Sequence, residues 1–85
     1  MAEVLVNGLN VRKAPHPHAE ITGQLNKGYI IHSCDRLIFD TPYVWLRYYN
    51  NNGEKRYVCK SVGTGLIDVY VDTPEDLPQE GEWSD

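Results

Sequence analysis

The 85-residue chain is poor in the features that would announce a disulfide-stapled module, a membrane protein or a nucleic-acid binder. Its two cysteines, Cys34 and Cys59, are too few for a disulfide scaffold and too far apart for a Cys-x-x-Cys redox pair, so buried free thiols are the ordinary reading. No apolar run approaches the roughly 18–20 residues needed to cross a bilayer. The chain is therefore expected to be soluble, with no membrane partner. Its opening, Met1 to Asn7, has no basic segment and only a short apolar run, unlike a secretory signal. Basic residues are missing altogether from Leu66 to Asp85, where Asp68, Asp72, Glu75, Asp76, Glu80, Glu82 and Asp85 make a block of −7. The net charge of −4 thus hides a +3 body, with eight bases against five acids in residues 1–65. A mildly basic body lacks the dense basic face on which nucleic-acid affinity rests, so no nucleic-acid partner is expected. The acidic end is either a solubilising tail or a mimic of an acidic ligand.

Helical periodicity is also scarce. What the sequence does hold is a series of short β-rich runs separated by turn residues, which predicts an all-β domain. Val4-Leu5-Val6 is followed by Asn7-Gly8 and by Leu9 to Arg12, where Leu9 and Val11 alternate with polar residues as in a half-buried strand. Two prolines in Ala14 to His18 remove backbone donors and fix φ, which predicts a long loop. Alternation resumes over Glu20 to Leu25, and Asn26-Lys27-Gly28 turns the chain into a run from Tyr29 to Cys34. Val44 to Tyr49 and Lys55 to Lys60 flank Asn50-Asn51-Asn52-Gly53-Glu54; Asn-Gly between two β-rich runs predicts a hairpin with a type I′ turn. Gly63-Thr64-Gly65 reads as another turn, and Ile67, Val69 and Val71 as a last alternating strand. Five or six short strands in about 70 residues suggest a small barrel. Residues 1–72 are assigned to it, and 73–85 to an acidic, proline-containing tail or linker. That segment offers only Leu77 and Trp83 for burial and orders only by docking on something, Trp83 folding back on the barrel being one route.

Chemistry is thinly represented. His16, His18, His32, Cys34 and Cys59 contain His-x-His and His-x-Cys spacings, which on strands place two ligands on one face. The close Cys-x-x-Cys elements of structural zinc sites are lacking, so neither metal nor cofactor is assigned. Cys59 and His32 are the one candidate nucleophile–base pair, in a chain with little room for a substrate cleft and an oxyanion hole; no enzyme activity is expected. The aromatic residues say more. Tyr29, Tyr43, Trp45, Tyr48, Tyr49, Tyr57 and Tyr70 exceed what so small a core requires. Clustered Tyr and Trp on a concave surface are the usual material of a peptide or glycan groove. The competing possibility is that they pack cross-strand and stiffen the sheet. The candidate contacts from this reading are Asn10, Arg12, His18, Tyr43 and Trp45. Arg12 is suited to a bidentate bond with a peptide carboxylate, and Arg12 and Trp45 alternatively serve the barrel itself.

Two stretches together resemble the bacterial SH3 (SH3b) domains that target lysins and other hydrolases to peptidoglycan. Leu9-Asn10-Val11-Arg12-Lys13-Ala14-Pro15, followed by Ile21 to Gly28, is similar to that family's first strand, long loop and Leu-x-x-Gly turn. Val44-Trp45-Leu46-Arg47-Tyr48, with Asn52-Gly53-Glu54-Lys55-Arg56-Tyr57-Val58, is similar to the hairpin of lysostaphin-type and phage-endolysin domains. Cys59 departs from that pattern, standing where such domains often have proline. The resemblance covers roughly residues 4–71. It implies a small SH3-like barrel of five to seven short antiparallel strands with a long RT-type loop, whose groove holds stem or cross-bridge peptide of the cell wall. It adds Asp35, Tyr57 and Tyr70 to the expected ligand contacts. The expected function is a non-catalytic cell-wall-binding module, at the cell wall or outside the cell, with any catalytic domain in a parent chain. The alternative is a cytoplasmic, phage-encoded interaction protein that binds a host-protein peptide through the barrel or the acidic tail.

Overall fold

The computed structural model describes residues 1–63, 68–74 and 77–81. Among these residues ten short strands form two sheets. In chain order they are β1 (Ala2–Val4), β2 (Leu9–Arg12), β3 (Ile21–Leu25), β4 (Ile30–Ile31), β5 (Cys34–Asp40), β6 (Tyr43–Tyr49), β7 (Lys55–Val62), β8 (Asp68–Val69), β9 (Val71–Asp72) and β10 (Gln79–Gly81). The smaller sheet runs β4-β1-β9 and the larger β10-β5-β6-β7-β2-β3, with β8 also pairing β7. The fold is all-β, small and barrel-like. Its strands are more numerous than the five to seven expected, because several are only two or three residues long.

The period of two that is visible in the sequence decides what faces inward. Ala2 and Val4 on β1 and Leu9 and Val11 on β2 are buried, joined by Leu46 and Val58 from the centre of the large sheet and by Val71 from β9. Between them Asn10 and Arg12 are left on the outer face of β2. Trp45 and Tyr57 are as deeply buried as this core but stand outside it. Register explains why: Leu46 pairs with Val58, so the neighbouring Trp45–Cys59 and Arg47–Tyr57 pairs point to the opposite side of the sheet.

The β6–β7 hairpin is present, with a different turn. Only glycines have positive φ, and Asn52 is not among them, which rules out type I′. Instead Gly53 N–H donates to Asn50 O and Asn50 N–H to Glu54 O, with Gly53 at φ 78°. This is the three-residue loop closed by a left-handed glycine. Asn50 Oδ1 accepts from the N–H groups of Asn52 and Glu54, so the side chain completes the turn that its backbone begins.

Three segments depart from simple alternation. β5 crosses charged residues, yet Leu37 is buried and pairs with Leu46 in the middle of the sheet. The run around Val69 and Val71 divides at Tyr70 into β8, on the large sheet, and β9, on the small one; Ile67, Thr64 and Gly65 lie outside the described residues. Beyond Asp72 the acidic segment is attached to the barrel through Gly81. Leu77 packs against the core, Leu37 N–H donates to Pro78 O at 2.8 Å, and β10 runs parallel to β5 with Gln79 opposite Leu37. Backbone pairing at a sheet edge asks little of side chains, so one apolar anchor suffices. Trp83 lies outside the described residues.

Candidate ligand groove

On the outer face of the large sheet a groove of about 390 Å³ opens between the Val6–Asn10 segment, the tip of the β2–β3 loop and the start of β6. That volume is at the lower end of the roughly 300–1,000 Å³ of small-ligand sites. Tyr43, Trp45 and Tyr70 supply its aromatic surface, with Asn10 and Arg12 beside them. The Tyr43 and Trp45 rings, two positions apart on one strand, are tilted at 37° with centroids 5.7 Å apart. Trp45 is 2% exposed and forms the floor. Its indole N–H is closed off from solvent and has no acceptor among the described residues.

Local sequence chemistry sets the walls. At the Asn7-Gly8 turn, Gly8 takes φ 69°, a conformation that side chains resist. Asn7 Oδ1 accepts from Lys27 N–H, Gly8 N–H donates to Asn26 Oδ1, and Gly28 N–H donates to Val4 O. Two asparagine-glycine turns thus brace each other and hold one wall. The other wall is the β2–β3 loop, closed at its base by Lys13 N–H to Glu20 O and tied down by Arg12 Nη1, which donates to Ala19 O at 2.8 Å. Pro17, in this loop, reaches the groove.

Five of the eight residues expected at a ligand site meet here: Asn10, Arg12, Tyr43, Trp45 and Tyr70. The other three are elsewhere. His18 is exposed on the loop, its N–H donating to His16 Nδ1, so the two histidines make a local turn. Asp35 lies at the β5–β6 bulge, held by Arg47 through two 2.9 Å bonds. Tyr57 is buried and pairs across the strands with Arg47. Resemblance alone proposed Asp35 and Tyr57; Tyr57 stands across from Arg12 and Arg47, but neither residue lines the groove. Tyr29, His32 and Tyr49 line a separate, smaller depression, while Tyr48 is in the core. Sequence reasoning missed Val6, Asn7, Gly8, Leu9, Pro17 and Cys59 as groove residues; the Asn-Gly turn was its one available signal for the first three.

Cys59 in the groove wall is a protonated thiol at neutral pH. Burial pushes it up to about 11, against a smaller opposing effect of its hydrogen bond to Ser61 and of the Arg12 charge. Its Sγ donates to Ser61 O at 3.4 Å. His32 belongs to the other depression, so the two are not brought together as nucleophile and base. Among the described residues no three of His, Cys, Asp and Glu converge as a metal site.

The arrangement offers stacking surface, an amide, one guanidinium and ordered backbone, which is equipment for binding. Comparison with family models, curated proteins and solved structures finds no match.

Proposed function

We propose that the chain is a non-catalytic binding module that holds a short extended peptide in this groove, the stem or cross-bridge peptide of peptidoglycan being the ligand that its resemblance to SH3b domains implies. The observation that carries the reading is the convergence of Tyr43, Trp45 and Tyr70 with Asn10 and Arg12 in one concavity. Aromatic faces suit the apolar stretches of an extended peptide, and Asn10 suits its amides. The test is co-sedimentation of the purified chain with isolated sacculi. Binding is expected, and Tyr43→Ala or Tyr70→Ala weakens it about tenfold, equivalent to about 1.4 kcal/mol. Failure to sediment with sacculi from any candidate host sinks the proposal.

A second reading is favoured by the acidic block from Leu66 to Asp85: a host-protein partner with a basic surface. Deleting that block would also remove β10, so charge is the cleaner variable. Glu80→Gln, Glu82→Gln and Asp85→Asn together leave wall binding intact under the first reading; under the second they abolish a salt-sensitive association.

A further inference from the structure

We propose that the groove selects peptides that carry a carboxylate, which it seats against Arg12. The proposal rests on the peptide-groove reading and decides between the two ligand types left open there: an acidic stem-like peptide rather than a glycine-type bridge.

Arg12 is the one charged side chain among the described residues that line the groove. Its neighbours there are aromatic, aliphatic or amide. Three other bases of the body each meet a carboxylate: Lys13 meets Glu20 at 3.6 Å, Arg47 meets Asp35 at 2.9 Å and Arg56 meets Glu54 at 3.2 Å. Arg12 has no carboxylate within ion-pair distance among the described residues. It is nevertheless half-buried and held in place, because Nη1 donates to Ala19 O at 2.8 Å. A carbonyl satisfies one N–H and leaves the charge uncompensated. Its field is felt in the groove, where it acts on the Cys59 thiol against the larger effect of burial.

A fixed, partly desolvated guanidinium between apolar walls is poorly served by water and well served by an anion. Because its rotamer is already set by Ala19, little side-chain entropy is lost when a carboxylate arrives. The planar fork also favours a carboxylate over a single carbonyl, since two parallel N–H···O bonds form at once. A glycine peptide presents carbonyls and no side-chain acid, so it uses the aromatic surface alone. An acidic peptide uses both.

The experiment is an NMR titration of the full 85-residue chain with three capped peptides: a tetrapeptide containing one glutamate, its glutamine twin and pentaglycine. The Trp45 indole resonance and the amides of Asn10, Tyr43 and Tyr70 report the groove. The glutamate peptide is expected to bind at least tenfold more tightly than the other two, with an advantage that shrinks as salt is raised. Arg12→Gln removes the advantage and leaves the weaker binding of the glutamine twin unchanged, while Arg12→Lys retains part of it. Retained amide dispersion shows that each variant is folded. Equal affinity of the glutamate and glutamine peptides, with groove shifts present, overturns the selection and leaves the peptide-groove reading standing. So does an unaltered preference in Arg12→Gln. Absence of binding to all three peptides and to sacculi overturns both.

Discussion

Arg47 grips Asp35 side-on across the β5–β6 bulge, Nε donating to Oδ1 and Nη2 to Oδ2, both at 2.9 Å. Tyr49 OH adds a longer bond to Oδ2 at 3.4 Å. The Arg47 hydrogen bonds and charge hold the Asp35 carboxyl below the usual carboxylate range, against a smaller opposing effect of burial. A depressed folded-state pKa means that the unfolded chain takes up the proton first. The pair's contribution is therefore complete above about pH 4, the unfolded aspartate range, and is lost as pH falls through the lower folded value. The Asp35 side chain is 38% exposed, so water screens the pair and Asp35→Asn is expected to cost only about 1 kcal/mol at neutral pH. Urea midpoints measured from pH 7 down to 2 check this. Wild type and variant converge in acid, and a constant offset would show that the loss is not electrostatic.

Cys59 gives the opposite sign at the alkaline end. The folded thiol is pushed up to about 11, so the unfolded chain loses its proton first and stability falls as pH rises from about 8.5 toward 11. Cys59→Ser is expected to flatten that part of the stability curve relative to wild type, leaving the tyrosine-dependent decline common to both. Alkylation at pH 8 should also be slower than for a free thiol in a peptide; a rate equal to the peptide's would contradict a buried, protonated Cys59.

Two glycines should respond in opposite directions to alanine. Gly53 sits at φ 78° in the β6–β7 turn, so Gly53→Ala is strained and is expected to cost about 1–2 kcal/mol even though open space surrounds the new methyl. Gly23, on the outer strand β3, needs no positive φ and has nothing within 4 Å of an added Cβ. Gly23→Ala should be neutral or stabilise by up to about 1 kcal/mol, through the reduced freedom of the unfolded chain. Thermal melts of the pair decide the point.

The same contrast shows what alternation in a sequence can convey. Leu9 and Val11 against Asn10 and Arg12 specify a strand face and put Asn10 and Arg12 on the groove side, because period-two patterning maps directly onto the two sides of a sheet. Cys34 to Asp40 carries no such pattern. Arg36 and Asp40 flank Leu37, and what makes the segment a strand is its pairing on both edges, with β6 and β10. β10 is less legible still, since Pro78 and a glutamate precede Gly81, and the core contact comes from Leu77, outside the strand. Tyr57 and Tyr43 are alike as sequence, yet one is buried and the other lines the groove; the difference is position in the sheet, Tyr57 lying between its partners Arg12 and Arg47 and Tyr43 at the start of β6. Loop contributions such as Pro17 depend on where the chain crosses, and no local pattern encodes that.

Leu77 packs against the core cluster, and it sits one residue before the Pro78 carbonyl that Leu37 N–H bonds. If β10 is held mainly by this anchor, Leu77→Ala should lower stability by about 1–2 kcal/mol, a partly buried leucine losing part of its transfer energy. Hydrogen exchange gives the sharper readout. The Leu37 amide should lose protection in Leu77→Ala, whereas exchange of the Leu46 amide, between β5 and β7, should be accelerated only by the global change. Equal loss at both sites would mean that β10 is not a separately opening unit.

Trp45 tests how the groove works. The ring is almost wholly buried and its N–H has no acceptor among the described residues, an arrangement that costs about 1–3 kcal/mol when a donor is sealed from water. Replacing the indole by its benzothiophene counterpart, 3-benzothienylalanine, keeps the shape and removes the donor. Where a buried tryptophan N–H is satisfied, that exchange loses about 1 kcal/mol; here it should be neutral or stabilising. Trp45→Ala, by contrast, removes the floor and is expected to cost about 3–5 kcal/mol. Because the N–H is sealed in the free protein, the isostere should bind a groove peptide within about twofold of wild type, the ring contributing shape and its π face rather than a hydrogen bond. A substantial loss of affinity in the isostere, with stability unchanged, would show that the floor rearranges to present the indole N–H to the ligand.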